Sequence, residues 1–320
     1  VRVGLVGTGY AAKLRAQTLL NDRRAELIAV VGGNSLSKTE AFAKDFQLMV
    51  LSSVQQLIEQ EDIELVIVSN VNSEHGAVAR AALEADKHVV IEYPMSLDLV
   101  EASELMNLAK SKNKLLHVEH IELLGGLHQA LKQHLDKVGE IFYVRYSTIK
   151  PENRAPRKWT YSHSLFGFPL MGAISRLHRL TNLFGEVMAV NCHNRFWETE
   201  AEFYQSCFCT AQLNFTSGLL AEVVYAKGET MWEAERKFEV HGENGGLIFN
   251  SGEGVLINSQ ETIPIEVASR RGLFAKDTAM VLDYLFDGIP LYVTADESLY
   301  ALKVADAARR SAEMGITITV

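Results

Sequence analysis

Gly7-Thr8-Gly9-Tyr10-Ala11-Ala12 stands directly after the short apolar run 1–6 and before a segment with helical spacing. The pattern is G-x-G-x-x-A, a form that the dinucleotide-binding fingerprint allows. Gly7 makes a tight turn, Gly9 lets the backbone approach a pyrophosphate, and Ala12 lets the helix pack closely on the strand. A helix opening at Thr8 and Tyr10 presents unpaired N–H groups and positive potential to an anion. The next apolar run ends Val31-Gly32-Gly33-Asn34-Ser35, without the acid that would accept from an NAD ribose 2′-hydroxyl. Ser35, Ser37 and Lys38 can instead bind a 2′-phosphate. Gly33, Asn34, Ser35 and Lys38 are therefore the residues expected at the adenosine ribose, with NADPH (NADP+) favoured and NADH tolerated. His75 and His120 titrate in the range useful for proton delivery. Tyr93 can donate a hydrogen bond, and Glu92 can accept one. Arg176 and Arg179 are i and i+3 on a predicted helix and share a face. The histidines and Glu119 match no compact zinc spacing, so no metal is expected.

The elements that must carry these residues alternate through the first third of the chain. Strands are expected at 1–6, 26–31, 65–68, 88–92 and 115–118, and helices at 11–20, 37–46, 76–85 and 97–111. Strands separated by helices of 10–15 residues make right-handed crossover units and a parallel sheet with helices on both faces. The pattern changes near 119–124. After a helix around 127–135 come longer alternating strands at 141–146, 203–215, 218–226 and 236–241, with hairpin turns at 215–218 and 243–246. The expected class is an α/β Rossmann domain, 1–118, followed by an α+β domain, 119–320, with a large open, mostly antiparallel sheet. The last helical stretches, 277–286 and 295–314, either cover that sheet or pack back on the first domain.

Composition sets the bounds. At about 150 residues per domain, 320 residues make two domains. The formal charge of −9 excludes a broadly basic nucleic-acid-binding surface, though not a local pocket for a small anion. Three cysteines are too few for a disulfide framework, and Cys207 and Cys209 flank Phe208 as inward residues of a strand. No apolar run reaches the roughly 18–20 residues of a membrane span. The first residues read as a strand rather than an export signal, which makes the cytoplasm the default expectation.

Two further segments carry a resemblance. Ser69-Asn70-Val71-Asn72-Ser73-Glu74-His75 follows a strand and opens a helix, and Lys87-His88-Val89-Val90-Ile91-Glu92-Tyr93-Pro94 follows that helix. With the glycine turn, they resemble the glucose–fructose oxidoreductase/inositol dehydrogenase superfamily across essentially the whole chain. The resemblance implies a nicotinamide near the Glu-Lys-Pro position, and so Ser69, Asn70, Asn72, His75, Glu92 and Tyr93 around the cofactor. Tyr93 replaces the lysine with which sugar-oxidising members move a hydroxyl proton. The usual Asp and His pair is not recognisable in 172–179.

These departures resemble the biliverdin reductase family. The matching segments are Glu92-Tyr93-Pro94-Met95, His117-Val118-Glu119-His120 with Glu122-Leu123-Leu124, and Phe166-Gly167-Phe168-Pro169 with Ile174-Ser175-Arg176-Leu177 and Leu183-Phe184-Gly185-Glu186. The similarity implies NAD(P)H-dependent reduction of the central C10 methine bridge of biliverdin to give bilirubin, with hydride from nicotinamide and a proton on a pyrrole nitrogen. Arg176 and Arg179 then bind propionates or stabilise charge developing on the bilin, and His75, Glu92, Tyr93 and His120 orient groups or pass the proton. The basic stretch 150–159 is either a pocket rim or a solvated loop. The expected partner is a small anionic tetrapyrrole, with neither nucleic acid nor membrane, and the expected state is a monomer. The alternatives are a sugar or polyol dehydrogenase of the same superfamily and a non-catalytic NADP-binding regulator.

Overall fold

The computed structural model describes residues 1–33, 35–198 and 202–320. In chain order the strands are β1 (Arg2–Val6), β2 (Glu26–Val31), β3 (Met49–Leu51), β4 (Leu65–Val68), β5 (His88–Ile91), β6 (Leu116–Val118), β7 (Ile141–Pro151), β8 (Val187–Glu198), β9 (Tyr204–Phe215), β10 (Leu220–Gly228), β11 (Glu235–Gly242), β12 (Gly245–Asn250), β13 (Glu253–Ile257), β14 (Thr262–Ile265) and β15 (Ile318–Thr319). The α-helices are α1 (Tyr10–Leu19), α2 (Leu36–Phe46), α3 (Val54–Ile58), α4 (His75–Glu84), α5 (Leu99–Lys112), α6 (Gly126–His134), α7 (His163–Phe166), α8 (Pro169–Gly172), α9 (Ser175–Phe184), α10 (Leu273–Asp287) and α11 (Ala295–Met314).

Val1–Ile121 and Gly272–Leu299 form one compact unit. Its sheet has the order β3-β2-β1-β4-β5-β6, with every pair parallel. All four residues of β4 are buried, as a strand covered on both faces requires. Ala12, Ala16 and Leu19 on α1 and Phe42, Ala43 and Phe46 on α2 pack on Val3, Leu5 and Val30. Each fully buried leucine in such a core contributes about 1.5–3 kcal/mol. The core also takes in Val281 and Leu282 of α10. That helix, from late in the chain, thus completes the first unit. Helix α5 is closed at both ends: Asp98 accepts from the Glu101 amide at 2.8 Å, and Asn113 ends it with φ 52°.

Glu122–Arg271 and Tyr300–Val320 form the second unit. The seam expected at 118/119 is thus compared with an observed division at 121/122, with Gly272–Leu299 on the first side. The sheet here has the order β14-β13-β12-β11-β7-β10-β9-β8-β15. One internal pair, β7 with β10, is parallel, from Leu220 opposite Tyr143 to Gly228 opposite Pro151. The others are antiparallel. Strand β9 alternates as a half-covered strand should, with Cys207, Cys209, Ala211, Leu213 and Phe215 buried. The hairpin between β9 and β10 turns at Gly218, whose φ is +90°. Strand β7 runs on to Pro151, so Lys150 and Pro151 lie in a strand and not in the extended loop expected there. Parallel pairing with β10 carries the ladder to that point.

Candidate functional site

In the first unit the candidate residues converge at the C-terminal ends of the parallel strands. That is where open α/β sheets bind ligands, at the point where strand order reverses, here between β1 and β4. Gly7 ends β1 with φ +110°, and its amide donates to Val31 O at 2.8 Å. Any Cβ on Gly7 would collide with the backbone of Ser69. Gly9 is the N-cap of α1, and a Cβ there would meet open space. Ala12 is fully buried against the sheet, Thr8 is half-buried, and Tyr10 is exposed. These residues fit a pyrophosphate laid on the helix N-terminus. Beyond β2, Gly33 and Lys38 are exposed and Ser35 is the N-cap of α2, with its hydroxyl 3.3 Å from that of Ser37. Asn34 lies outside the described residues.

Ser69 and Asn70 follow β4, and Asn72 is buried. Asn70 donates to Glu74 at 2.7 Å. His75 opens α4 fully buried, with Nδ1 2.8 Å from Pro94 O. A carbonyl only accepts, so Nδ1 carries the hydrogen. Burial also holds the His75 pKa below its usual value. His75 Nε2 lies 3.4 Å from Asn70 O, so the ring ties α4 both to the end of β4 and to the segment after Tyr93. Tyr93 stacks on His120, with centroids 5.6 Å apart and planes at 8°. His120 is buried, and its backbone N–H donates to Tyr292 Oη at 3.0 Å.

Behind Glu92 lies a buried charge network to which the sequence reading assigned only Glu92. Arg15, with no exposed surface, donates from Nε to Glu92 Oε1 at 2.6 Å and from Nη1 to Asp277 Oδ2 at 2.7 Å. Asp277 Oδ1 also meets His117 Nε2 and accepts from Tyr292 Oη, both at 2.8 Å. Burial pushes the Asp277 carboxyl up, but Arg15 and His117 outweigh it and hold the group below the carboxylate range. The opposite holds at Glu119. Burial first, then Glu92 and Asp277, raise its pKa well above the usual value against the pull of Arg15. Burial and the neighbouring carboxylates thus favour the protonated form of Glu119, which shares a hydrogen bond with Glu92. Arg15 had a signal in the sequence: it occupies the apolar stripe Ala12, Ala16, Leu19 of α1. Asp277 had none, because its partners are 160 and 262 residues away.

In the second unit Arg176 and Arg179 project from α9 onto sheet tyrosines. The Arg176 guanidinium lies 5.1 Å from the Tyr225 ring centre and that of Arg179 lies 5.4 Å from Tyr146. Tyr146 pairs with Val223 in the β7–β10 ladder, so the two rings stand on one face, two residues apart. Arg179 is buried and donates to Tyr146 Oη and Glu122 O, each at 3.0 Å, and to Glu122 Oε2 at 3.1 Å. Arg236 and Arg270 reach the same carboxylate. Two cations of the basic stretch have local partners: Lys150 pairs with Glu152 at 2.6 Å and Arg157 lies over Phe203. Trp159 packs on Phe166. Lys227 went unnoticed in the sequence, although it sits on the inward parity of β10 after Ala221, Val223 and Tyr225. Its ammonium is 3.9 Å from the Phe166 ring centre and 4.7 Å from that of Tyr161, and burial lowers its pKa to about 8. Among the described residues no group of three His, Cys, Asp or Glu is placed to hold a metal, and no helix is long and apolar enough to cross a membrane.

Comparison with known proteins completes the picture. Residues 1–120 match the oxidoreductase family with an NAD-binding Rossmann fold, and residues 132–320 match the C-terminal alpha/beta domain of the same family. The chain is similar to a biliverdin reductase of Synechocystis sp. PCC 6803, solved in complex with biliverdin and NADP+, at 51% identity and a TM-score of 0.96, covering 98% of this chain and 99% of that one. It is 26% identical to biliverdin reductase A of Mus musculus over 96% of this chain and 95% of the other. To biliverdin reductase A of Homo sapiens it is 32% identical over 59% of this chain and 60% of the other. The chain belongs to the glucose–fructose oxidoreductase/inositol dehydrogenase family of Rossmann-fold oxidoreductases, and within it to the biliverdin reductases.

Proposed function

We propose that this chain reduces the C10 methine bridge of biliverdin with NADPH, giving bilirubin. The observation that carries the reading is the 51% identity, over nearly the full length of both chains, to an enzyme held with biliverdin and NADP+. The geometry of each unit fits its share of the work. Gly7, Gly9 and the α1 N-terminus form a cradle open to a pyrophosphate, with Ser69 and Asn70 at the end of the neighbouring strand. Gly33, Ser35 and Lys38 leave the end of β2 open to a 2′-phosphate. When bound, NADPH supplies the hydride.

The chain's own residues then orient the bilin and manage charge and protons. Reduction of a methine bridge removes no hydroxyl proton, so tyrosine at position 93 costs the reaction nothing that a lysine would supply. Arg176 lies over Tyr225, which suits it to bind a propionate or to stabilise negative charge on the tetrapyrrole, while Arg179, buried over Tyr146 and bonded to Glu122, adds positive charge from behind. A guanidinium is a poor acid, so the proton reaches the pyrrole through water or a propionate. Burial and the neighbouring carboxylates of Glu92 and Asp277 favour a protonated Glu119 in the first unit. The same reading makes the protein a monomer working in the cytoplasm. Mixing the protein with NADPH and biliverdin should bleach the red bilin band and raise the yellow bilirubin band. Absence of any change from mildly acidic to neutral pH would reject the reading.

A further inference from the structure

The second unit encloses a cavity of about 310 Å³ between the N-terminal end of α6, strands β7, β11 and β12, and the segment before α10. Its charge is unbalanced. Arg179, Arg236 and Arg270 converge on one carboxylate, Glu122. Glu122 stays ionised because these guanidiniums, with Arg176, overcome the burial that opposes it. Three positive charges against one leave two unmatched. Arg179 donates from Nη1 to Tyr146 and from Nη2 to Glu122 and is closed off from solvent. Arg236 and Arg270 each give one N–H group to Glu122. Their side chains are 41% and 55% exposed, and each guanidinium has five N–H donors. The rings of Tyr146 and Phe238 line the same space. The cavity is therefore apolar below and cationic at its mouth.

Such a site takes an amphipathic carboxylate. Its volume is at the small end of ligand pockets, which run about 300–1,000 Å³, so it suits one arm of a larger molecule. We infer that Arg236 and Arg270 bind a propionate of the bilin here, with the adjoining pyrrole against the apolar wall. The inference rests on the biliverdin reading above and adds two specificity-determining residues to it. The loop that carries Arg270 is fixed by a close approach: any side chain at Gly126 would collide with the backbone of Ala268.

The test compares biliverdin with its dimethyl ester, which keeps the chromophore and lacks both carboxylates. Steady-state kinetics are measured for wild type, Arg236→Gln, Arg270→Gln and the double variant, with circular dichroism as a check on folding. Losing charge-assisted hydrogen bonds should raise the double variant's KM for biliverdin about tenfold or more. Its kcat should stay within about twofold and its KM for NADPH should not move, since uniform binding energy is lost. With the ester, wild type should already show the raised KM, and the variants should add nothing. An unchanged KM for biliverdin, or an equal rise for acid and ester, overturns the pocket. If a variant misfolds, wild type alone still decides: equal KM for acid and ester shows that no propionate is bound. Absence of turnover with either bilin in wild type overturns the parent reading, and the pocket with it.

Discussion

A guanidinium without exposed surface survives at position 15 because carboxyl groups of Glu92 and Asp277 meet two of its nitrogens. Removing one partner of such a buried pair leaves an uncompensated charge, at about 3–5 kcal/mol. Asp277→Asn should lose that much in urea unfolding; a loss under about 1 kcal/mol would show the pair to be dispensable. The sign with pH follows from the lowered Asp277 pKa. Its contribution is complete above the unfolded value of about 4 and is lost as pH falls through the lower folded value. The advantage of wild type over Asp277→Asn should therefore shrink below about pH 4. At the ribose, Lys38→Ala should raise KM for NADPH about tenfold and leave NADH unchanged, as loss of one charge-assisted contact predicts. Equal effects on both cofactors would remove Lys38 from the phosphate. Arg176→Ala should lower kcat for biliverdin at least about a hundredfold, the scale of losing a transition-state contact, with little change in NADPH affinity. Unchanged turnover would take Arg176 out of the mechanism. Residues of this kind were legible where a local motif names them, as with Gly7, Gly9 and Glu92. Asp277, Tyr292 and Arg270 were not, because their meaning arises only from distant partners.

The glycine turn shows what an element demands of one position. Gly7 combines φ +110° with contact to the Ser69 backbone, so Gly7→Ala meets both strain and collision. Strain at such an angle costs about 1–3 kcal/mol, and relief by moving the turn would displace Gly9. NADPH binding to Gly7→Ala, followed by nicotinamide fluorescence, should weaken at least about tenfold. Wild-type affinity would refute the cradle. The doubly covered strands were readable as continuous apolar runs, and β9 and β10 as alternating ones. Strand β3, with three residues, is too short for any period. Strand β8 interrupts its apolar residues with Asn191, His193 and Arg195 and so resembles a polar loop. The apolar face of α10 was visible, but nothing in it says which sheet Val281 and Leu282 cover.

For the molecule as a whole, net charge misleads about its ligands. The chain carries −9, yet its proposed substrate and cofactor are both anions. What matters is the local placement of cations: Lys38 beyond β2 in the first unit, and Arg176, Arg179, Arg236 and Arg270 in the second. Two units, a Rossmann sheet and an open sheet follow from the order of periodicities along the chain. The return of Gly272–Leu299 to the first unit follows from packing alone. The central claim is hydride transfer to C10. It is tested most directly by turnover of biliverdin with NADPH deuterated at the transferring C4 position and mass and NMR analysis of the product. The account predicts bilirubin with one deuterium at C10. Recovery of unreduced biliverdin, or deuterium at any other carbon, would contradict it.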